Sequence, residues 1–287
     1  DQVDALHKAA QRCGKQAELL IDMQGPELRV GVLAEPMTLN EGEVLELGGK
    51  GIPLPDIAIP ALLPGQEVLL DDGKLLLRVT EQTESGAVAE VLRGGVLRGR
   101  KSLALPGADL DPPTMTASDV ENIRVAASCG VTGVMQPFVR SRRDLETVRR
   151  ALDENGGANI RLFAKIENQM GLERLPEFLE TADEIVIARG DLGNAMPLWE
   201  LPAAQKRIEA QCRKAGKPFM VVTQMLASME QNPVPTRAEV SDIFNAVADG
   251  AAAVMVTGET AVGKWPVEVI RYLSNTVQAA ERFLREG

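Results

Sequence analysis

Charged side chains follow two short apolar segments in the middle of the sequence, and their types suit phosphate or enolate chemistry. The first segment, 162–164, runs into Lys165 and Glu167, and the second, 184–188, is followed closely by Asp191. Short buried strands that end in charge are typical of the rim of a (β/α) barrel, where catalytic groups lie. In extended backbone, Lys165 and Glu167 leave from the same face because they are two residues apart. We therefore expect Glu167 and Asp191 to converge on a hard divalent cation such as Mg²⁺, with Lys165 supplying positive charge to a phosphate or enolate oxygen.

A plainer interpretation of the same residues stays open. Each basic residue could pair with the carboxylate two positions later, Lys165 with Glu167 and Arg189 with Asp191, and simply close the end of a strand. The glycines on either side of Asp191 favour a ligand instead, because they let a backbone approach closely. The following segment, 192–194, is predicted to open a helical turn whose N–H groups face an anion.

Strand and helix patterns alternate through most of the sequence, which predicts a parallel α/β architecture. Helices are predicted from Asp1 to Gln16, over 202–215 with Gly216 as a stop, and over 266–285. A complete (β/α) barrel has eight strands, so we expect a barrel that is incomplete at the N-terminus. The six predicted barrel strands end near Asp22, Gln136, Lys165, Ala188, Val222 and Val256.

Three hydroxyl residues have the spacing of helix capping boxes. Thr116, Ser141 and Thr236 each stand three positions before an acidic residue. We predict that each pair satisfies the first backbone N–H groups of the helix that follows.

The pattern changes between residues 31 and 106, where short strands are separated by Gly, Pro and Asp turns. The segment 71–74, Asp-Asp-Gly-Lys, predicts a hairpin turn because Gly accepts left-handed backbone. An all-β segment inserted after a barrel strand suggests a lid domain that closes over substrate. Its predicted strands cover 44–47, 67–70, 75–80 and 87–92.

Composition and charge exclude several classes of protein. With 287 residues and 45% hydrophobic content, the chain can bury a substantial core. A formal net charge of -10 argues against nonspecific binding to nucleic acid or to an anionic membrane surface. No apolar run reaches the ~18 residues of a membrane span, and no signal-peptide pattern is present, so we expect a cytoplasmic protein.

Cysteine and histidine usage suggests no further chemical site. Cys13, Cys129 and Cys212 are far apart and lack the spacing of a zinc site or of a disulfide framework. His7 lies in a polar helical pattern, so a mechanism centred on histidine is not expected.

Several motifs, in one order and register, resemble the barrel domain of pyruvate kinase. The resemblance implies a TIM-type (β/α) barrel built from residues 1–30 and 107–287, with residues 31–106 as the inserted lid domain. It also implies that the family's first two barrel strands and its C-terminal domain are not part of this sequence, and we expect a trimmed chain. The motifs are IDMQGPELRVG at 21–31, KIEN at 165–168, ARGDLG at 188–193, TQML at 223–226, PTRAEVSD at 235–242 and GET at 258–260.

In function, the resemblance implies phosphoryl transfer from phosphoenolpyruvate to ADP, giving pyruvate and ATP. Glu167 and Asp191 would hold Mg²⁺ or Mn²⁺, and Lys165 would stabilise the transferred group and the enolate that it leaves. Thr223 resembles the family threonine linked to protonation of that enolate. The substrate would lie against Ala188, Arg189, Gly190, Asp191 and Thr223.

The resemblance also implies contacts to phosphates and to a monovalent cation. Arg29 matches a catalytic arginine that approaches the phosphates, and Lys101 matches a lysine among the nucleotide contacts. Asp22 and Met23 match positions of a K⁺ site, and Glu27 matches the glutamate that accompanies K⁺ dependence. The sequence departs from the family at Met23 and Gln24, where threonine and lysine are common, and at Ala104, where asparagine is usual.

Two other functions stay open beside this one. A Mg²⁺-dependent lyase or aldolase acting through a pyruvate enolate needs the same metal-bound carboxylates but no nucleotide contacts. A catalytically impaired relative would bind the metabolite without turnover. A homo-oligomer is one assembly that the resemblance allows.

Overall fold

The computed structural model describes residues 2–108 and 110–286. Along the chain, parallel strands and helices precede and follow an antiparallel β segment. The chain begins with helix α1 (Gln2–Arg12) and strand β1 (Leu20–Asp22). Helix α1 ends four residues before the predicted Gln16, β1 ends at the predicted Asp22, and Gly14, with φ of 62°, follows the end of α1. Asp1, at which the predicted helix begins, lies outside the described residues.

The middle of the chain forms antiparallel strands around a core of its own. Strand order in the larger sheet is β3-β6-β5-β4-β8, and β2 pairs with β7. Apolar residues from Val30 to Leu105 form the buried cluster of this segment. Strands therefore lie at all four predicted positions, 44–47, 67–70, 75–80 and 87–92, while β2, β7 and β8 were not predicted. Its elements are β2 (Met37–Leu39), β3 (Val44–Gly48), a 3₁₀ turn (Asp56–Ala61), β4 (Glu67–Leu70), β5 (Leu75–Thr83), β6 (Gly86–Arg93), β7 (Gly95–Leu97) and β8 (Leu103–Ala104).

The hairpin between β4 and β5 turns at the predicted position. Leu70 pairs with Leu75, and three successive loop residues have positive φ: 49° at Asp71, 56° at Asp72 and 74° at Gly73. Aspartate tolerates this conformation better than most residues with a side chain, so the Asp-Asp-Gly sequence suits the turn.

The remainder of the chain alternates strands with helices. None of its helices, within the described residues, is both long and apolar enough to cross a membrane. The elements are α2 (Ala117–Ala126), β9 (Gly133–Gln136), α3 (Arg142–Glu154), β10 (Arg161–Ile166), α4 (Gln169–Phe178), β11 (Glu184–Ala188), α5 (Arg189–Asn194), α6 (Leu201–Ala215), β12 (Phe219–Val222), α7 (Arg237–Ala248), β13 (Ala253–Met255), α8 (Gly258–Ala261) and α9 (Pro266–Glu286), with 3₁₀ turns at Leu198–Glu200 and Ala227–Glu230.

In the described part of the chain, six strands form one parallel sheet in the order β1-β9-β10-β11-β12-β13. Strand order follows chain order without reversal, as in a singly wound barrel and unlike a doubly wound sheet. One face packs against helices, and the other carries a cluster made of strand residues, as the interior of an α/β barrel does. β1 and β13 are the edges of this sheet in the described residues. The inner cluster contains Met135, Phe163, Val186, Ala188, Met220 and Val222.

Two of the three predicted capping boxes are confirmed. Thr116 and Thr236 each accept a hydrogen bond from the backbone N–H three residues later, and the acidic residue there returns one. The prediction for Ser141 is wrong, because its side chain makes no capping bond. Asp144, the expected partner, instead accepts hydrogen bonds from Arg140, whose positive charge makes it the stronger competitor.

Truncating an apolar side chain of α4 tests how far this packing stabilises the fold. Leu175 is 0% exposed, so Leu175→Ala is expected to lower the free energy of unfolding by about 2–5 kcal/mol through lost burial and a cavity. Leu198 is 68% exposed, so Leu198→Ala is the matched control and should change it by about 0.5 kcal/mol or less. Urea denaturation measures both, and equal losses would contradict the described packing.

Candidate functional site

Lys165 lies between two carboxylates at the C-terminal end of β10. Its Nζ atom is 3.1 Å from Asp22 Oδ1 and 3.2 Å from Glu167 Oε1. Lys165 shares the inner face of the sheet with Phe163, because the two are two residues apart in a strand. Burial alone would lower the pKa of Lys165, but the negative charges of Glu167 and Asp22 outweigh it and raise the pKa. The ammonium group is therefore charged and held at the end of the strand.

Glu167, the residue after Ile166, is a buried carboxylate. It is 3% exposed, and its Oε2 accepts a hydrogen bond of 2.7 Å from the backbone N–H of Phe138. Burial raises the pKa of Glu167 from 4.5 to about 7; Lys165 opposes this rise, and the charge of Asp191 adds to it. The site thus holds a carboxylate that gains from the approach of further positive charge.

The raised pKa of Glu167 predicts how the stability of the metal-free chain depends on pH. Between 4.5 and about 7 the folded state binds more protons at Glu167 than the unfolded state. Protonation of Glu167 therefore stabilises the folded state, and this stabilisation is fully present below pH 4.5 and is lost as pH rises through about 7. We expect a loss of about 1–3 kcal/mol across this window, with a flatter profile in Glu167→Gln. Urea denaturation from pH 4.5 to 8 measures both profiles, and identical slopes would rule out Glu167 as the source.

Asp191 enters the site from the neighbouring strand, in the first turn of α5. This helix begins at Arg189, three residues earlier than predicted, so the backbone N–H groups at its start belong to residues 189–191. Burial raises the pKa of Asp191; Lys165 lowers it, and the charge of Asp72 raises it further. Asp72 belongs to the β4–β5 hairpin, so the tip of the β segment lies close to α5.

A cavity of about 440 Å³ lies between the β segment and the ends of the parallel strands. Glu167 and Asp191 both line it, as do the start of α4 and the segment 102–108 that leads out of the β segment. Ala104 forms part of its wall, at the position where asparagine was expected. The strand-end carboxylates therefore open into a space large enough for a small ligand.

The two carboxylates fit a divalent cation. Burial and the charge of Asp191 raise the pKa of Glu167, and burial and the charges of Asp72 and Asp22 raise the pKa of Asp191, so a cation would relieve the repulsion among these acids. No cluster of three or more His, Cys, Asp or Glu side chains suited to a metal exists in the ranges that the structure describes. Mg²⁺ commonly takes one or two protein carboxylates and completes its coordination with water and substrate oxygens, so two carboxylates are within the number that it uses.

Arg29 and Lys101 lie on the stem of the β segment rather than on the barrel strands. Arg29 pairs with Glu27 at 2.8 Å and also donates to the carbonyl of Arg100. Lys101 Nζ is 2.9 Å from Asp71 Oδ1. Both side chains are partly exposed and are held by carboxylates, so an incoming phosphate would have to compete for them.

The residues predicted for K⁺ are only partly suited to it. Asp22 is half-exposed and pairs with Lys165. The side chain of Met23 is 4% exposed and belongs to the apolar core, so it offers no oxygen to a cation. Any contact from Met23 would have to come from its backbone carbonyl. Burial raises the pKa of Glu27, with Arg29 opposing the rise.

Thr223 and Gly190 meet where β12 and β11 end. Thr223 has φ of 74°, an unfavourable backbone conformation for a β-branched residue. A Cβ added to Gly190 would lie 3.0 Å from Thr223 Cγ2, so glycine permits this close approach. The simpler interpretation of Arg189 as the partner of Asp191 is wrong, because Arg189 pairs with Asp242 at 2.7 Å. For Lys165 and Glu167 the ion pair is confirmed.

Three acids outside the predicted set of site residues bind the loops of the site. Asp119, predicted only as a cap, also accepts hydrogen bonds from the N–H groups of residues 24 and 25, which precede Glu27. Glu259 accepts the N–H of Leu226 in the loop after Thr223. Asp242 binds Arg189. Asp119 and Asp242 act on loops about 50 to 95 residues away, so local spacing held no signal for them.

Comparisons with known proteins agree on one family. A family model described as pyruvate kinase, barrel domain, matches residues 1–270. The chain is 39% identical over 274 residues to a pyruvate kinase of Agrobacterium vitis, which covers 92% of this chain and 56% of that relative. It is 38% identical over 285 residues to a pyruvate kinase of Aeropyrum pernix, covering 98% of this chain and 62% of the relative. The chain therefore spans a little more than half of the length of these relatives.

Proposed function

Because this chain belongs to the pyruvate kinase family, we propose that its protein transfers the phosphoryl group of phosphoenolpyruvate to ADP, giving pyruvate and ATP. One observation carries the proposal: Glu167 and Asp191, two acids of raised pKa, line one cavity, and the ammonium group of Lys165 lies 3.2 Å from Glu167. Phosphoryl transfer needs mainly alignment and stabilisation of charge, and this arrangement offers both.

Glu167 and Asp191 would hold Mg²⁺ or Mn²⁺ in this proposal. When bound, the cation would supply positive charge to the oxygens of the substrate. The two side chains favour such binding because Glu167 is buried, Asp191 is partly buried, and both pKa values are raised. A cation would displace the proton that Glu167 holds below pH of about 7.

Lys165 would stabilise the transferred group and the negative charge on the enolate oxygen. The N–H groups of Gly190 and Asp191, at the start of α5, would bind the carboxylate of the substrate. Thr223 lies against Gly190 and would assist protonation of the enolate at its methylene carbon. The side chain of Arg189 would make no contact with the substrate, because Asp242 and backbone carbonyls occupy it.

The β segment would act as a lid over the same cavity. Its hairpin approaches α5, since a Cβ added to Gly73 would lie 2.9 Å from Asn194 Oδ1. Arg29 and Lys101 on its stem would bind phosphates of the substrates, with Lys101 among the nucleotide contacts. Asp22 and the backbone of Met23 would contribute to a K⁺ site, to which Glu27 adds negative charge.

The proposal is tested by ATP formation from phosphoenolpyruvate and ADP, with Mg²⁺ and K⁺ each present or omitted. Both this chain and any longer product of the same coding sequence are assayed. Mg²⁺-dependent ATP formation supports the proposal. Mg²⁺-dependent binding of phosphoenolpyruvate without any product would favour a metabolite-binding protein, and turnover of a pyruvate enolate without ADP would favour a lyase or aldolase.

A further inference from the structure

The loop that follows β12 holds an unfavourable backbone conformation. Thr223 and Gln224 are consecutive non-glycine residues with φ of 74° and 56°. Left-handed backbone is most unfavourable for β-branched residues, and it persists only where surrounding contacts impose it. The side chain of Arg189 makes three contacts to this loop.

Arg189 binds this loop through several atoms of its guanidinium group. Nη2 donates to the carbonyl of Thr223 at 2.8 Å and lies 2.9 Å from the sulfur of Met225, and Nε donates to the carbonyl of Val222 at 3.3 Å. Nη1 is 2.7 Å from a carboxylate oxygen of Asp242 on α7. The side chain is 13% exposed, so it is largely enclosed by these partners.

The same residue begins the helix that carries Asp191. Gly190 stands between the two and lies against the methyl group of Thr223. Arg189 therefore joins the loop of Thr223 to the start of α5, where Asp191 lines the cavity. Arg189 is absent from the lining of that cavity among the described residues.

We propose that Arg189 and Asp242 form a positioning pair, which holds Thr223 in its left-handed conformation against the start of α5. The inference rests on the proposed function, in which Thr223 assists protonation of the enolate. In that step the π electrons of the enolate C=C bond form a C–H bond with a proton that comes from solvent through the hydroxyl of Thr223, and a lone pair of the enolate oxygen restores the carbonyl of pyruvate. Asp242 fixes the guanidinium group, and the guanidinium group fixes the backbone of Thr223.

A double-mutant cycle tests the positioning pair without any use of activity. Glycine adopts φ of 74° without strain, so in Thr223→Gly the positioning pair is no longer needed to hold this conformation. We expect Arg189→Ala to lower the Tm at least twice as much in the parent chain as in the Thr223→Gly background. Equal losses in the two backgrounds would overturn the inference.

Arg149→Ala is the matched control for this cycle. Arg149 also donates to a backbone carbonyl, that of Ile160, and pairs with a carboxylate, that of Asp183. It lies at the opposite end of β10 from Lys165, so its effect on the Tm should be the same with Thr223 and with Thr223→Gly.

Kinetics then separate a positioning role from a substrate contact. Protonation of the enolate is followed through exchange of the methyl hydrogens of pyruvate with solvent. In Arg189→Lys and in Asp242→Asn we expect kcat for this exchange to fall about 10- to 100-fold, with KM for pyruvate changed less than about 3-fold. A raised KM with unchanged kcat would identify Arg189 as a substrate ligand and overturn the inference.

The two kinds of measurement keep this inference separate from the proposed function. If the parent protein forms no ATP and exchanges no hydrogens, the proposed function fails. The thermal cycle still decides whether Arg189 holds Thr223. Coupled Tm losses together with unchanged exchange in active protein would limit the pair to stability and overturn its positioning role.

Discussion

Replacing Lys165 with Met is expected to lower kcat for ATP formation by about 10³-fold or more. Methionine keeps the length and the apolar stem of the side chain but removes the ammonium group that lies 3.1 Å from Asp22 and 3.2 Å from Glu167. Loss of a group that stabilises developing negative charge usually costs 10²- to 10³-fold, and here the charge spreads over a phosphoryl group and an enolate. Mg²⁺-dependent binding of phosphoenolpyruvate should persist, because Glu167 and Asp191 remain.

Lys206→Met is the matched control for this prediction. Lys206 is also a lysine with two carboxylate partners, Glu209 and Asp249, but it lies on α6 outside the cavity. Its replacement should leave kcat within about 2-fold of the parent. Retention of turnover in Lys165→Met would show that this ammonium group does not act in the reaction.

Replacing Glu167 with Gln is expected to raise the Mg²⁺ concentration for half-maximal activity at least about 10-fold and to lower kcat by about 10²-fold. The amide keeps the shape of the side chain but removes one of the two charges that would hold the cation. It also leaves Lys165 with Asp22 alone as its carboxylate partner. Titration of activity with Mg²⁺ at saturating substrates measures both quantities.

Glu209→Gln is the matched control for Glu167→Gln, because it removes a buried carboxylate that lies outside the candidate metal site. Glu209 is 0% exposed and pairs with Lys206 at 3.1 Å, yet it belongs to α6. We expect it to lower the Tm without changing the Mg²⁺ requirement. If Glu167→Gln leaves the Mg²⁺ requirement unchanged, the cation is held elsewhere.

Strand positions were predicted well because they depend on local patterns. The strand at Glu184–Ala188 has the predicted bounds, and the strand at Phe219–Val222 ends at the predicted residue, since each is a short apolar run followed by a polar residue. The short strands β2, β7 and β8 were missed, because two or three residues carry no readable periodicity. Their pairing depends on partners far away along the chain.

The sequence predicted which charged residues lie at the strand ends better than it predicted which of them pair with one another. Lys165 and Glu167 meet because two residues in extended backbone share a face, which is a local rule. Arg189 and Asp191 do not pair, because a helix begins at Arg189 and the two residues no longer share a face as they would in extended backbone; Arg189 pairs with Asp242 instead. The capping prediction failed at Ser141 for a similar reason, since Asp144 accepts hydrogen bonds from Arg140 instead.

By itself, the sequence determined the alternation of strands and helices, the antiparallel segment and the charged residues at the strand ends. These features follow from side-chain period and turn chemistry, which act over a few residues. Only the tertiary structure decided which acids share the cavity, how burial and neighbouring charge raise the pKa of Glu167, and which arginine holds Thr223. Desolvation and electrostatic interaction depend on distances in space, and those distances are set by packing between segments remote in sequence.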